Sequence, residues 1–449
     1  MSELQACGAY EAEVMSIAIR FTDTPAEASA RLLIRLGLAA LFAGLPCAGI
    51  FWRGAIYVLL PVGAILILLG VLLDAPPHAG RRLRDAIVSP AGGAALLVAL
   101  WAGMSVIWTP FRAEAGERFL QFASATSLAV LAAVYLPHKT KTLDLYLLPS
   151  GIALASAATL ALAYFSAPWF FGGFEFDETL YERATITAIV LVWPALGLLS
   201  LREHWIAAAL LAVLVAGVAL AGFAQIALVA MGAGAFAFAM AMSGPSRTAR
   251  FFAWLFAPLI LFSPLLPLLY RLVLWMTGFD PGAGSAPMLV WSELVVSQWP
   301  RLITGHGLDF VHRGLSLGYL PEGTPRSLLF VLWFDFGLVG AAGFAVLVAQ
   351  AFRFAGRLPA KTAPALLAGL VSILTIAILG VATSQIWWVT LLDCNAIAFA
   401  LLVKGADRAR RPDVWAIRAI EPEIPQELRE ESAAGSVAPV RRLSEFAGS

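Results

Sequence analysis

The chain has 449 residues, 60% of them hydrophobic and only 13% charged, with mean hydropathy +0.83 and a formal net charge of +1. Soluble domains carry about a quarter charged residues, so this composition excludes a water-soluble class. The sequence holds no basic arm and no aromatic-basic platform, so no nucleic-acid partner is expected.

Apolar segments of membrane-crossing length recur along the chain, each long enough for about 30 Å of hydrocarbon. They are continuous rather than alternating, which argues for helices and against a barrel. The expected fold is therefore all-α, a polytopic membrane protein. Twelve spans are read at 32–51, 54–73, 90–108, 119–136, 143–165, 184–201, 205–222, 224–242, 251–270, 327–349, 362–382 and 384–403. Residues 1–31 precede them. Glu3, Glu11 and Glu13 interrupt that segment and no apolar core follows a basic start, so it reads as a cytoplasmic segment before an uncleaved first helix. The transmembrane domain is 32–403. The charged, aromatic-poor segment 404–449 is expected to be a disordered cytoplasmic tail.

Orientation follows from lysine and arginine counts. With the N-terminus inside, cytoplasmic segments hold 22 of the 30 basic residues and external segments hold 8. Both termini are then inside, and the polar segment 271–326 between the ninth and tenth spans is an external loop. Pro258, Pro264 and Pro267 predict a kinked or broken ninth span feeding into it. Cys7, Cys47 and Cys394 are far apart and give neither a metal-ligand spacing nor a disulfide framework. No cofactor and no metal are expected.

Within the loop, Pro287 and Pro300 bracket an apolar run that puts Met288, Trp291, Val295 and Trp299 on one face. This predicts a short interfacial helix with its tryptophans at headgroup depth. Next comes Gly305-His306-Gly307-Leu308-Asp309, whose glycines permit tight backbone geometry. It is no phosphate-binding P-loop, because the Gly-Lys-Ser/Thr ending is missing. His306 and His312 are the external histidines. Each is a candidate base near neutral pH, though taken alone it reads first as a surface group bonding a turn carbonyl. Arg183, at the outer mouth of the sixth span, and Arg326, before the tenth, either snorkel to headgroups or grip a diphosphate. Asp335 and Asp393 lie inside spans, where acids face the bundle interior and mark function or a bond to a neighbouring helix. Gly337, Gly340 and Gly343 read as a packing stripe.

These features together resemble the O-antigen ligase / O-antigen polymerase family of bacterial envelope proteins. That family has about twelve spans, both ends cytoplasmic, and a large periplasmic loop between the ninth and tenth. Pro300 with Gly305-His306-Gly307 is similar to its Pro-x-x-x-Gly-x-Gly stretch, and Trp333, Asp335 and Gly337-Leu338-Val339-Gly340 are similar to the start of its tenth span. Arg183 with Trp193-Pro194, and Ala224-Gln225-Ile226-Ala227, resemble its motifs at the sixth and eighth spans. Departures accompany the match: the family's histidine falls on Arg326, its paired asparagine on Ser327, and a further loop arginine on Pro287.

The resemblance implies a GT-C-like, metal-independent, inverting glycosyltransferase in the bacterial inner membrane. It would move a glycan from undecaprenyl diphosphate to an acceptor glycolipid or a second lipid-linked glycan, within envelope polysaccharide and lipopolysaccharide assembly. Arg326, His306 and His312 become the catalytic candidates. Arg183, Arg301, Arg313, Gln225 and Asp335 become the substrate-binding candidates. The alternatives are a non-catalytic lipid-linked-glycan binding or scaffold member of the family, or a 12-helix secondary transporter. Membrane lipids are partners under every reading.

Overall fold

A computed structural model describes residues 25–52, 54–74, 79–137, 142–164, 178–222, 224–278, 282–380 and 386–406. Most of the expected N-terminal segment (1–24) and of the tail (407–449) lies outside the described residues, as do Cys7, His78 and His138. The described residues form helices without strands. They build a polytopic, membrane-type bundle: eight helices are long and apolar enough to cross a bilayer, or up to ten if each of two bent pairs is one span.

In chain order the helices are α1 (Pro25–Phe51, with a π-helical turn at Ala40–Gly44), α2 (Ala55–Asp74), α3 (Ala79–Val88), α4 (Pro90–Ser105), α5 (Arg112–Tyr135) and α6 (Leu147–Tyr164). They continue as α7 (Glu178–Leu201), α8 (Trp205–Ala221), α9 (Gln225–Ser243), α10 (Pro245–Leu261) and α11 (Leu265–Thr277). The last five are α12 (Ala286–Ser297), α13 (Phe310–Ser316), α14 (Leu328–Ala355), α15 (Ala363–Leu379) and α16 (Ile386–Ala406).

Each of the twelve expected spans coincides with one of these helices, yet fewer meet the length test. The helices α8 and α15 have 17 residues each, hence about 26 Å at 1.5 Å per residue, short of a full hydrocarbon core. The third span is one half of a bent pair, α3 and α4 meeting at 76°, and the ninth runs across both halves of another, α10 and α11 meeting at 75°. Pro90 explains the first corner. It cannot donate into a preceding helical turn, and Ser89 caps the new helix by accepting from Gly92 N at 3.0 Å. Pro264 at the second corner ends α10 in the same way. The separate helix α3 was not foreseen, because its three arginines made it look like a plain cytoplasmic linker.

The helix α7 sits in the middle. Its residues from Ile186 to Leu199 are almost all buried, against α6, α8, α15 and α16. Small residues let backbones approach elsewhere: a Cβ on Gly37 would lie 2.6 Å from Gly63 O, so α1 and α2 cross in near backbone contact. The end of α5 is closed by α16. Lys404 Nζ donates to Ala133 O (2.9 Å), Val134 O (2.9 Å) and Leu136 O (2.7 Å), carbonyls that a helix end leaves without partners. Lys404→Met keeps the apolar stem and deletes the donor. It is expected to lower stability by about 1.5–3 kcal/mol, read as a lower melting temperature of the purified protein.

The loop helix exists, as α12, but its aromatic face is not where the sequence put it. Trp291 is buried, with its ring edge-on to Phe330 at 5.7 Å, whereas Trp299 is exposed. The packing partner Phe330, on α14, is remote in sequence. Trp291 is therefore a core residue rather than a headgroup anchor.

Candidate functional site

The site is built around a break in α14. Gly337 has φ 64° and ψ −161°, a backbone state open essentially to glycine alone. The sequence stripe of three glycines thus has two roles. Gly343 packs against Leu97 and Val98 of α4, while Gly337 interrupts the helix. The interruption frees three successive carbonyls, and each one is bonded. His306 N donates to Phe334 O (2.8 Å), Gly307 N to Asp335 O (2.9 Å), and the Trp101 indole Nε1 to Phe336 O (2.8 Å).

Loop and helix meet backbone to backbone. A Cβ on Gly305 (φ +74°) would sit 2.2 Å from Asp335 O, and one on Gly337 would sit 2.5 Å from Ile303 O. Trp101→Phe leaves Phe336 O unsatisfied. Its expected cost is about 1–3 kcal/mol, measured by thermal unfolding, with little change in the level of inserted protein.

Two buried acids hold the loop in register. Asp335 Oδ1 accepts from Val311 N at 2.9 Å, in the first turn of α13. Asp309 adopts a left-handed conformation (φ 68°), which Asp tolerates better than most residues. Its side chain is fully buried between two guanidinium groups, in contact with Arg118 of α5 and bonded by Arg313 Nε at 3.0 Å. Leu308 N donates to Ser105 Oγ at 3.0 Å, tying the same turn to the end of α4.

His306 packs in a three-ring cluster with Phe334 (4.2 Å between ring centroids) and Phe310 (4.8 Å), which also meet each other at 5.9 Å. Its Nδ1 lies 3.1 Å from Phe334 O. A carbonyl only accepts, so this bond assigns the proton to Nδ1 and leaves Nε2 with its lone pair. The imidazole lines an open cavity of about 510 Å³ together with Trp108, Thr109, Pro110, Arg112, Arg301 and Phe310. Burial pushes the pKa of His306 below the usual 6.5, and the nearby Arg301 adds to the shift, with the Phe334 carbonyl opposing it. The ring is therefore neutral at pH 7 and able to accept a proton. Trp108 forms an aromatic wall with Trp101, at 5.5 Å between ring centroids.

His312 stands on α13 beside the Asp309 cluster. Partial burial lowers its pKa first, then Arg118; Arg313 and Arg326 also lower it, and Asp309 opposes them. Arg326 lines a second cavity, of about 790 Å³, with Glu322, Thr324, Ser327, Leu379 and Gly380.

The expected residues thus fall into groups. Arg301 joins His306, and Arg313 and Arg326 join His312. Asp335 is held by backbone and serves to dock the loop. Arg183 lies over the Trp387 ring at 5.4 Å, and Gln225 opens α9 with its side chain exposed. Neither Arg183 nor Gln225 lines the two cavities. Sequence reasoning missed Arg112, Arg118, Trp108 and Asp309. The available signal was a pair of arginines six residues apart opening a span, Arg112 and Arg118, which entered only as counts of external charge.

No family model, no curated protein and no solved structure matches the chain. Among the described residues no three His, Cys, Asp or Glu side chains are grouped to hold a metal ion.

Proposed function

We propose that the protein is an O-antigen ligase-like or polymerase-like glycosyltransferase of the bacterial inner membrane, acting on an undecaprenyl-diphosphate-linked glycan at the periplasmic face. The observation that carries this reading is His306. It is a neutral imidazole with a fixed tautomer, facing a cavity that also presents Arg112, Arg301 and the Trp108 ring. A base, two guanidinium groups and an aromatic wall suit a reaction in which a sugar leaves an anionic diphosphate. The family resemblance supplies the substrate class. In this reading the twelve helical segments all cross the bilayer in a GT-C-like bundle with both termini inside, α8 and α15 included.

The chemistry balances without a further reactant. The acceptor hydroxyl oxygen attacks the anomeric carbon from the face opposite the diphosphate. The new C–O bond forms as the bond to the diphosphate oxygen breaks, and that bond's electron pair leaves with the diphosphate. The hydroxyl proton passes to His306 Nε2. Arg112 and Arg301 hold the charge that develops on the leaving oxygens, where preorganised donors contribute most. Configuration inverts. The family's own histidine position is Arg326 here, so in this reading the base comes from His306, earlier in the same loop.

Arg301→Ala tests the role given to the cavity's cations. Loss of one such charge is expected to lower transfer about 10²–10³-fold, read as lost surface polysaccharide at unchanged membrane level of the protein. A wild-type glycan profile would remove Arg301 from the site.

A further inference from the structure

A long apolar groove of about 830 Å³ runs between α4 and α5, with α14 as its floor. Ala95 and Ala99 line one side, Phe122 and Ala123 the other, and Leu332 and Phe344 the floor. At the loop end it stops at Arg118 and Asp309. At the opposite end it reaches Leu83, Ala86 and Ile87 of α3. From Arg118 to Leu131, both on its wall, α5 rises about 20 Å, so the groove runs most of the depth of a hydrocarbon core.

The two ends differ in charge. At the loop end the Arg118 charge is matched by the buried carboxylate of Asp309. At the far end α3 turns through 76° away from α4 and is strongly amphipathic. Its apolar residues face the groove, while Arg81, Arg82 and Arg84 stand against one acid on the helix, Asp85. Among the described residues no ion pair neutralises these arginines. A basic amphipathic helix at a membrane boundary attracts anionic headgroups.

We propose that this groove binds an anionic glycerophospholipid, with its headgroup phosphate on Arg81, Arg82 and Arg84 and an acyl chain lying between α4 and α5. The charge difference fixes the direction: the phosphate goes to the unneutralised end, away from the glycan cavity. The site is independent of glycan transfer. It places a lipid of the opposite leaflet against the wall that carries Arg118.

The test uses the purified full-length protein and lipids of matched chains, phosphatidylglycerol and phosphatidylcholine, counted by native mass spectrometry. Wild type is expected to retain phosphatidylglycerol in preference. R81S/R82S/R84S is expected to lose roughly a hundredfold in that preference, since each surface arginine contributes about fivefold. Equal retention of the two lipids, or an unchanged triple variant, overturns the proposal. A diazirine on the acyl chain of phosphatidylglycerol gives a measurement that needs no variant. Labelling concentrated on residues 95–102 and 119–131 supports the groove, and labelling scattered over the bundle overturns it. Displacement of phosphatidylglycerol one for one by undecaprenyl phosphate also overturns it, because the groove would then belong to the glycan carrier.

Discussion

His306→Ala is expected to lower glycan transfer by about 10²–10⁴-fold, the range for loss of a positioned general base. The variant leaves the backbone bond from His306 N to Phe334 O in place, so the loop stays docked. What disappears is the imidazole that packs on Phe334 and Phe310 and lines the cavity. A structural role would predict a fall in protein level or melting temperature in step with the loss of activity. A base predicts lost activity at unchanged stability.

The pH profile separates the two further. The pKa of His306 lies below 6.5, because burial and Arg301 disfavour the imidazolium. The base is thus fully available above that value. Wild-type transfer should be flat through neutral pH and fall as acid titrates the ring, below pH 6.5. The residual activity of His306→Ala should lack that limb. A folded-state pKa below the unfolded one means the unfolded chain binds more protons, so the contribution of His306 is complete above the ordinary value and is lost as pH falls beneath it.

Gly305→Ala is expected to undock the loop. The residue has φ +74°, which costs an L side chain about 1–2 kcal/mol. The added methyl would also sit 2.2 Å from the Asp335 carbonyl oxygen, part of a backbone segment with little freedom to retreat. Relief requires the loop to lift from α14. That breaks the bonds to Phe334 O and Asp335 O and leaves buried carbonyls unpaired, at about 1–3 kcal/mol each. Together these amount to about 3–8 kcal/mol. That is enough to undock the loop while the bundle stays inserted. Limited proteolysis reads the outcome: cleavage within residues 298–327 should accelerate sharply in Gly305→Ala and stay slow in the wild type. Gly318→Ala is a control at a similarly positive φ, +77°, with open space where the methyl would go. It should show only the backbone strain of about 1–2 kcal/mol and keep the slow cleavage.

Much of the helix pattern was legible in the sequence because membrane crossing imposes long continuous apolar runs, and each predicted run lies on a helix. What stayed hidden depends on contacts distant in sequence. Trp291 read as an anchor because its partner Phe330 lies 39 positions away in the chain. Gly337 read as one of three equal spacers, since nothing local distinguishes a helix break from a packing notch. The acid Asp309 read as a turn residue, because the arginine that neutralises it, Arg118, lies on a helix near the start of the bundle. Asp335 is costly to bury on sequence alone, and its carboxylate accepts from a backbone N–H of the loop; it lines neither the His306 cavity nor the Arg326 cavity. The loop residues His306 and Arg301 could be named as candidates from position alone. Their joining with Arg112 and Trp108 in one cavity follows from the docking of the loop between α4, α5 and α14.

A site that moves glycan off undecaprenyl diphosphate sets the level of its lipid-linked donor in the cell. The most direct measurement is the pool of lipid-linked intermediates in cells from which the gene is deleted. Extracted undecaprenyl-diphosphate glycans should accumulate several-fold, fall back when wild type is restored, and stay high with His306→Ala or Arg301→Ala. An intermediate pool and surface polysaccharide profile indistinguishable from the parent strain would contradict it.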